Sequence, residues 1–490
     1  MDESPTTPST DTTAESSQSQ THRIRIGDRD IDYVATAGTV LVRDAEHEPL
    51  ASVFYLSYVA EQPVGAPARP VTFFFNGGPG SASLWLNIGG FGPKRAPTAT
   101  PAATPPAPYI VGDNPHSLID TTDMVFIDAV GTGYSRLAGS ATGADVWGVD
   151  QDVDVFARAI TRYLTITNNW NAPRFLFGES YGTTRSAALV HKLQNQGIDF
   201  NGVVLLSTLL NWTTMQAGAD QSYVNSLPSF AAAAWYHKRR DDHPDNLDAY
   251  LDEVRAFAQG PYAAALQLGD RLPAEQENAV AEQLGRHIGL DAGYLKRTML
   301  RVDMEQFRRA LLDEQGIVIG RFDTRFTAEN NYIIGNGSHD PATDDAATAG
   351  VNSAHLSTFR DHLVSDIGYT SELHYLPLNN VVIAQAWDWN HKAPGFDAPM
   401  QIPNVTLDLA AALRRNRSLR VAVMGGVYDL ATPFFGAEYD FAHMFLSAEL
   451  RENVSFHFYE SGHMTFVDEV AITKMKADLI EFYATATRTA

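Results

Sequence analysis

The chain has 490 residues, of which 44% are hydrophobic, and it carries 36 Lys and Arg against 58 Asp and Glu, a formal net charge of −22. This composition excludes a wholly disordered protein, and no apolar run approaches the roughly 18 residues that a membrane-spanning helix needs. The acidic balance disfavours binding to nucleic acid or to anionic membranes. The chain contains no cysteine, which excludes disulfides, thiolate metal sites and cysteine nucleophiles.

The first residues of the chain are rich in Ser, Thr, Asp, Glu and Gln, and no basic segment followed by an apolar one occurs among them. Residues 1–22 are therefore expected to form a disordered tail rather than a secretory signal. A long chain without cysteine is typical of a reducing compartment. Together these features predict a cytoplasmic protein.

Strand-like and helix-like segments then alternate. Ile31 to Val42 and Ala51 to Val59 are rich in β-branched and aromatic residues, which predicts an antiparallel hairpin. Short apolar runs of the kind found in buried parallel strands follow at Val71 to Phe75, Met124 to Ile127, Phe175 to Phe177 and Val203 to Leu206. Helical spacing separates some of them, notably over Asp150 to Leu164 and Thr184 to Gln196. This alternation predicts an α/β layer fold with a mostly parallel central sheet.

The pattern changes after about residue 216. Mostly helix-like segments follow, with polar loops between them, until two more strand-like runs appear at Leu419 to Met424 and Val454 to Tyr459. The simplest interpretation is one α/β core with an insertion. The core is predicted over 23–215 and 403–490, and the insertion over 216–402 is predicted to be a mainly helical cap.

The strongest chemical motif is Gly178-Glu179-Ser180-Tyr181-Gly182. It matches the G-x-S-x-G nucleophile elbow, with an apolar strand before it and a helix-like segment after it. The glycines allow a sharp turn with close neighbours, and the turn would lift the Ser180 hydroxyl above the sheet edge. The following helix N-terminus would favour negative charge developing nearby. We therefore predict that Ser180 is a nucleophile.

A serine nucleophile needs a base, and the base needs an orienting carboxylate, in the chain order Ser, Asp or Glu, His. Two residues that follow late strands fit this order. Asp429 follows the run Leu419 to Met424, and His463 follows the run Val454 to Tyr459 with a glycine beside it. We predict Asp429 as the orienting acid and His463 as the base.

A glycine-rich turn, Asn76-Gly77-Gly78-Pro79-Gly80-Ser81, comes directly after the strand at Val71 to Phe75. Such a loop can present backbone N–H groups to a ligand. It lacks the Lys-Ser/Thr of a phosphate-binding P-loop and the spacing of a dinucleotide site. In a serine hydrolase the corresponding need is an oxyanion hole, and we predict the N–H groups of Gly78 and Tyr181 for it.

These motifs together resemble the serine carboxypeptidases, in a version similar to the bacterial branch. Three segments carry the resemblance before residue 200: the glycine-rich turn, Asp128-Ala129-Val130-Gly131-Thr132-Gly133-Tyr134-Ser135 and the Gly-Glu-Ser-Tyr-Gly elbow. Asp429 and His463 fall where the family has its acid and base. The resemblance implies an α/β-hydrolase fold with an inserted cap, and removal of C-terminal residues from peptides without metal or cofactor. It also implies that Asn76, Gly77 and Glu179 bind the terminal carboxylate of the substrate. A peptide is the expected partner, with no nucleic acid and no membrane, and nothing favours a particular oligomeric state.

The sequence departs from this family at one position. Well-studied members pair the glutamate before the nucleophile with a second glutamate two residues before a Gly-Pro, where this chain has Gly90. A basic group could serve instead, and the sequence offers Lys94, Arg95 and Arg321 without ranking them. Because of this departure, an esterase or acyltransferase on the same scaffold stays an alternative. A non-catalytic binding protein with a hydrolase fold is the remoter one.

Overall fold

A computed structural model of the chain describes residues 12–63, 65–216, 218–240, 244–330 and 345–488. The strands of these parts are β1 (Ser17–Ile26), β2 (Arg29–Arg43), β3 (Pro49–Ala60), β4 (Val71–Phe75), β5 (Lys94–Arg95), β6 (Gly112–Asp113), β7 (Asp123–Ile127), β8 (Arg136–Leu137), β9 (Arg174–Glu179), β10 (Gly202–Leu206), β11 (Ile317–Ile319), β12 (Thr327–Glu329), β13 (Arg420–Gly426) and β14 (Val454–Tyr459).

The α-helices of the same parts are α1 (Gly143–Val146), α2 (Val149–Ile166), α3 (Tyr181–Asn195), α4 (Asp220–Tyr236), α5 (Leu247–Phe257), α6 (Ala263–Leu268), α7 (Ala274–Ile288), α8 (Ala292–Arg297), α9 (Met304–Ala310), α10 (Ala346–Asp361), α11 (Asn380–Ala386), α12 (Thr406–Arg415), α13 (Phe434–Ala442), α14 (Ala448–Arg451) and α15 (Glu469–Ala486). Short 3₁₀ segments occupy Leu118–Asp120, Trp212–Met215, Gly269–Arg271, Asp313–Gln315 and Thr465–Val467, and π-helical segments occupy Trp85–Phe91, Ala258–Tyr262 and His362–Asp366.

The central sheet has the strand order β1-β2-β3-β7-β4-β9-β10-β13-β14, with β8 added beside β3. The pairs from β7 to β14 are parallel, whereas β1, β2, β3 and β8 pair antiparallel. The interior parallel strands are largely apolar runs because helices cover both faces, whereas β14 at the sheet edge includes Ser455 and His457 and is only partly buried. The predicted α/β architecture with a mostly parallel sheet is confirmed.

Two apolar layers enclose this sheet. On one face α2, α3 and α12 pack through residues such as Phe156, Leu189 and Leu409. On the other face α15 packs through residues such as Ile472 and Leu479. Parallel strands end at the same edge of such a sheet, so β4, β9, β13 and β14 deliver their following loops to one place.

The predicted insertion is mainly helical in its described parts, which contain α4 to α11 and the short β11–β12 hairpin. Its helices α4, α5 and α7 share an apolar cluster with residues 427–435 of the core. Within the described residues, none of the helices combines the length and the apolar character needed to cross a bilayer.

The predicted disordered tail, 1–22, needs a correction at its C-terminal end. Ser17 to His22 lie in β1, where they pair with β2 from Gly38 to Tyr33. Their side chains are mostly exposed, because the strand lies at the sheet edge and is held by backbone hydrogen bonds. A polar edge strand therefore resembles a disordered segment in composition. Residues 1–11 of the predicted tail lie outside the described residues.

Candidate active site

Ser180 stands at a sharp turn between β9 and α3. Its backbone has φ 58° and ψ −128°, a conformation that costs a non-glycine residue about 1–3 kcal/mol. A hydrogen bond of 2.9 Å from Ser180 N to Leu206 O ties the turn to β10. A Cβ at Gly178 would overlap with the Gly182 carbonyl, so this turn requires glycine at position 178. The strained turn raises the Ser180 hydroxyl at the carboxyl edge of the sheet.

The acid and the base come from the loops after β13 and β14. His463 Nδ1 lies 2.7 Å from Asp429 Oδ2. Asp429 is fully buried, and it accepts further hydrogen bonds from Ala431 N at 2.7 Å and Thr432 N at 3.1 Å. Thr432 Oγ1 also donates to Asp429 Oδ2 at 2.6 Å. The bond to Asp429 fixes the proton of His463 on Nδ1 and leaves Nε2 available as a base.

The electrostatic surroundings of His463 favour its protonated form. Burial alone lowers the pKa of His463, but Asp429 and then Glu179 outweigh burial and raise the pKa above its usual value. The imidazolium that forms when the base takes a proton is therefore stabilised.

A loop from inside the insertion holds the histidine from the other side. We call residues 320–326, between β11 and β12, the clamp loop. His463 N donates to Phe322 O at 2.6 Å, and the two rings pack with centroids 4.8 Å apart. A Cβ at Gly462 would overlap with Asp323 and with the Phe322 carbonyl. The glycine next to the base thus allows the clamp loop to approach it.

The glycine-rich turn after β4 lies directly against the elbow. A Cβ at Gly77 would come within 2.9 Å of Ser180 Cβ and would overlap with the Tyr181 amide. Tyr181 begins α3, so its N–H lacks a partner within the helix. Gly78 follows with φ 107°. The predicted oxyanion donors, the N–H groups of Gly78 and Tyr181, therefore belong to two segments in close contact beside Ser180.

Arg185 holds this turn in place. Its side chain is fully buried, pairs with Asp152 at 2.6 Å and donates to Asn76 O at 2.9 Å. Ser83 anchors the other end of the turn, because its N and Oγ both donate to Asp128 Oδ1 at 2.8 Å. Sequence reasoning assigned no role to Arg185 or Thr432. The available signal was the position of Arg185, five residues after Ser180 on the helix that follows the elbow.

Glu179 lies beside the nucleophile and is buried. Asn76 Nδ2 donates to its Oε2, whereas its buried Oε1 has no hydrogen-bond partner among the described residues. Burial raises the pKa of Glu179 to about 7, although His463 and Asn76 act in the opposite direction. The side chain is therefore neutral in mild acid and can donate a hydrogen bond there.

A cavity of about 230 Å³ joins these groups. The predicted site residues on its wall are Asn76, Gly77, Gly78, Glu179, Ser180, Tyr181 and His463. Asp429 lies behind His463 rather than on the wall. The cavity also has apolar walls, among them Trp85, Trp212 and Leu378. The structure thus brings together the residues that the motifs singled out.

The structure also separates the three basic candidates. Lys94 pairs with Asp113 at 2.7 Å, and Arg95 donates to Gly89 O, Phe466 O and Glu469. Arg321 of the clamp loop lines the cavity. At Gly90 a Cβ would already approach the Phe466 ring within 3.3 Å, so a larger side chain there would have to displace this ring.

Comparison with known proteins supports the resemblance to serine carboxypeptidases. A family model described as serine carboxypeptidase matches residues 33–249, which include the glycine-rich turn and the elbow but not Asp429 or His463. The chain is similar to the prohormone-processing carboxypeptidase Kex1ΔP of Saccharomyces cerevisiae, with 14% identity, 92% and 91% of the two chains covered and a TM-score of 0.55. No curated protein matches the chain by sequence.

Other hydrolases match with lower structural similarity. A proline iminopeptidase of Mycobacterium smegmatis is 13% identical, with 95% and 98% of the chains covered and a TM-score of 0.35. A monoglyceride lipase of Saccharomyces cerevisiae is 12% identical, with 92% and 97% covered and a TM-score of 0.37. The family match confirms the resemblance inferred from the motifs, and the match to the carboxypeptidase structure confirms the α/β-hydrolase fold with its cap.

Proposed function

We propose that this protein, a serine carboxypeptidase-like hydrolase, removes C-terminal residues from peptides through an acyl-enzyme on Ser180. One observation carries the proposal. Ser180, the glycine-rich turn and Glu179 share a cavity with His463, and His463 is held by Asp429 at 2.7 Å.

Acylation begins when the Ser180 hydroxyl attacks the scissile carbonyl. His463 Nε2 takes the hydroxyl proton as the new C–O bond forms. The negative charge on the carbonyl oxygen is bound by the N–H groups of Gly78 and Tyr181. His463 then gives its proton to the leaving amine, the C–N bond breaks, and the C-terminal residue departs.

Deacylation repeats these steps with water. His463 takes a proton from water while the oxygen attacks the acyl carbon, and Ser180 Oγ then leaves and recovers the proton. Asp429 orients the imidazole and stabilises the imidazolium that forms in each half of the reaction. Three donors besides His463 hold this carboxylate, so the histidine keeps one orientation through both halves of the reaction.

Restriction to the C-terminus requires that the site bind the terminal carboxylate. Asn76, Gly77 and a neutral Glu179 are proposed for this role. All three line the cavity with Ser180. The side chain of Glu179 is directed by Asn76, and a protonated carboxyl can donate a hydrogen bond to a carboxylate that an ionised one would repel.

An esterase or acyltransferase is the second candidate function. The specific observation in its favour is Gly90 in place of a second glutamate, which leaves Glu179 Oε1 without a hydrogen-bond partner among the described residues. A site built only for esters would need no carboxylate recognition. The two functions share the fold and the nucleophile, so substrates must separate them.

The test is digestion of a peptide mixture, followed by mass spectrometry, with labelling by a fluorophosphonate. The parent is expected to take the label and to release single residues from free C-termini. Ser180→Ala should lose labelling and at least about 10⁴-fold in turnover, whereas Ser365→Ala, at an exposed serine, should match the parent. Turnover of simple esters without release of C-terminal residues would favour the esterase. A parent that neither takes the label nor turns over any substrate would favour a binding protein.

A further inference from the structure

The active-site cavity contains a permanent cation. Among the described residues that line it, Arg321 alone is an arginine or lysine. Its backbone is fixed on both sides, because Arg321 N donates to Asp345 and Arg321 O accepts from Leu430 N at 3.0 Å. Leu430 follows Asp429 directly. The backbone of Arg321 is therefore held by the same loop that carries the acid of the site.

The guanidinium of Arg321 has no ion-pair partner among the described residues. Its Nε is buried and makes no hydrogen bond. The neighbouring carboxylates are already used. Asp345 accepts from Arg308 at 3.3 Å and from backbone N–H groups, and Asp429 accepts from His463, Thr432 and Ala431.

Arg325 of the same clamp loop, in contrast to Arg321, has ion-pair partners. It is paired with Asp323 at 2.7 Å and with Asp468 at 2.9 Å. A cation removed from water without a partner is costly, and folded proteins normally pair it. Burial lowers the pKa of Arg321, yet an arginine stays charged at physiological pH. The guanidinium lies over the Phe322 ring, 5.2 Å from its centroid, so Arg321 is a charged donor at the cavity wall with no carboxylate partner among the described residues.

The location of Arg321 connects it to the substrate. It lines both the active-site cavity and an adjoining cavity of about 320 Å³, and the two share Leu209, Met215, Ala431 and Thr432. The Arg321 charge also acts on His463. A group bound by Arg321 therefore lies next to the base of the site.

Resting on the proposed function, we propose that Arg321 binds a carboxylate of the substrate beside the scissile bond. A guanidinium presents two parallel N–H donors that match a carboxylate. The carboxylate has two possible sources: the C-terminus of the peptide or an acidic side chain next to the scissile bond. In either case Arg321 supplies the positive charge that Glu179 and Asn76 lack.

The experiment compares Arg321→Met, Arg321→Lys and Arg271→Met, the last at an exposed arginine of the insertion. Substrates are a blocked dipeptide with a free C-terminus, its C-terminal amide, peptides with Glu or Gln flanking the scissile bond, and p-nitrophenyl acetate. Arg321→Met is expected to raise KM for the carboxylate-bearing substrate about 10- to 100-fold, with a smaller change in kcat. Arg321→Lys should recover part of this loss, and Arg271→Met should match the parent.

The substrate pairs identify the source of the carboxylate. If Arg321→Met raises KM for the free-acid dipeptide but not for its amide, the carboxylate is the C-terminus of the peptide. If it raises KM for the Glu peptide but not for the Gln peptide, the carboxylate is an acidic side chain. Turnover of p-nitrophenyl acetate and fluorophosphonate labelling should persist in Arg321→Met. These rates are measured across pH, because removing the cation also raises the pKa of His463. Unchanged KM for every carboxylate substrate, or equal loss with p-nitrophenyl acetate at all pH values, would overturn the proposal.

Failure of the proposed function gives a different pattern. In that case the parent takes the label but releases no residue from any peptide. The role of Arg321 is then tested on a p-nitrophenyl monoester of a dicarboxylic acid against the same ester with its free carboxyl methylated. A preference for the charged ester that Arg321→Met abolishes would still support carboxylate binding, and no preference would contradict it.

Discussion

Single side chains orient the acid and base of this site through several contacts each. Thr432 shows this best, because its Oγ1 lies 2.6 Å from Asp429 Oδ2 and 3.2 Å from His463 Nδ1. Its own backbone N–H also binds Asp429. The residue therefore helps to hold the carboxylate against the imidazole.

Thr432→Val should keep the shape of this site and remove the hydroxyl. We expect kcat to fall about 10- to 100-fold, because a hydrogen bond to a charged group contributes on the order of 1.5–3 kcal/mol. Thr432→Ser, which retains the hydroxyl, is the control and should stay within about 2-fold of the parent. Steady-state kinetics on one peptide measures both, and a fall in Thr432→Ser as large as in Thr432→Val would contradict the assignment.

The pH dependence of kcat and KM should have different origins. Burial raises the pKa of Glu179 to about 7, so the side chain is neutral below this pH and ionised above it. KM for a free-acid substrate should therefore rise as the pH increases through about 7, while KM for the amide stays flat. The base His463 must be neutral, and its pKa is raised above its usual 6.5, so kcat should increase with pH through a value above 6.5.

Glu179→Gln tests the predicted pH dependence of KM. Glutamine keeps a donor and cannot ionise, so KM for the free acid should become independent of pH in this variant. Arg321→Met should steepen the rise of KM in the parent background, because no cation would then offset the Glu179 charge. Identical profiles in the parent and Glu179→Gln would show that Glu179 does not meet the carboxylate.

At the scale of single residues, the sequence predicts the role of a residue when a short local motif indicates its chemistry. Ser180 was found because its strand, turn and helix are contiguous, and Asp429 and His463 because each follows a strand. Arg185 could not be assigned a role, because Asp152 and Asn76 are brought close to it only by folding. Thr432 lies near Asp429 in the sequence, but its contact with His463 exists only in the folded chain. Arg321 was one of three basic candidates, and only its contacts and those of Lys94 and Arg95 distinguish them.

Among the elements, the clamp loop 320–326 contacts the base of the site directly. It lies inside the insertion, yet it accepts the His463 N–H bond and touches Gly462. The insertion is thus more than a cover for the cavity. It forms part of the support of the base.

Gly462→Ala tests this support. A Cβ at this position would overlap with Asp323 and the Phe322 carbonyl, so the loop that carries His463 must move. A displacement of about 1 Å can cost on the order of 100-fold in rate, and we expect kcat to fall by this order. Gly260→Ala is the matched control, since its Cβ would meet nothing within 4 Å. Circular dichroism checks the fold, and a fully active Gly462→Ala would contradict the role of the clamp loop.

A strand can be predicted from the sequence where its composition distinguishes it from a loop. Val71–Phe75 is a continuous apolar run, and all five residues are buried. Ser17–Ile26 has mostly polar and exposed side chains, and backbone pairing holds it at the sheet edge. Composition reports side-chain burial and not backbone hydrogen bonding, so such a strand is missed.

Across the whole molecule, the insertion is fastened to the core by a buried histidine between two carboxylates. His391 lies 2.6 Å from Asp150 and 2.8 Å from Asp408. Burial lowers its pKa, but hydrogen bonds to Asp150 and Asp408 outweigh burial and raise the pKa to about 9. The charged bridge joins the last part of the insertion to α2 and α12.

This bridge should make stability depend on pH. Its contribution is fully present below the unfolded pKa of 6.5 and is lost as the pH rises through about 9. His391→Asn should therefore destabilise the protein by on the order of 2 kcal/mol at pH 6, and the difference from the parent should shrink by pH 9.5. Urea unfolding measures it. His47→Asn, at an exposed histidine with φ 65°, is the control, and a His391→Asn difference that does not change with pH would contradict the bridge.

The clamp loop also bears on how the chain becomes an enzyme. The nucleophile, the acid and the base lie on segments far apart in the sequence, and the clamp loop adds a further segment from inside the insertion. Joining distant segments costs chain entropy before their contacts form, which delays such contacts during folding. The strands before the insertion, β1 to β10, and the helices between them can therefore assemble while His463 still lacks its support. In refolding, helical circular dichroism should recover before fluorophosphonate labelling of Ser180. A partly folded chain would then hold its serine without a working base, so peptidase activity would appear only when the insertion has docked.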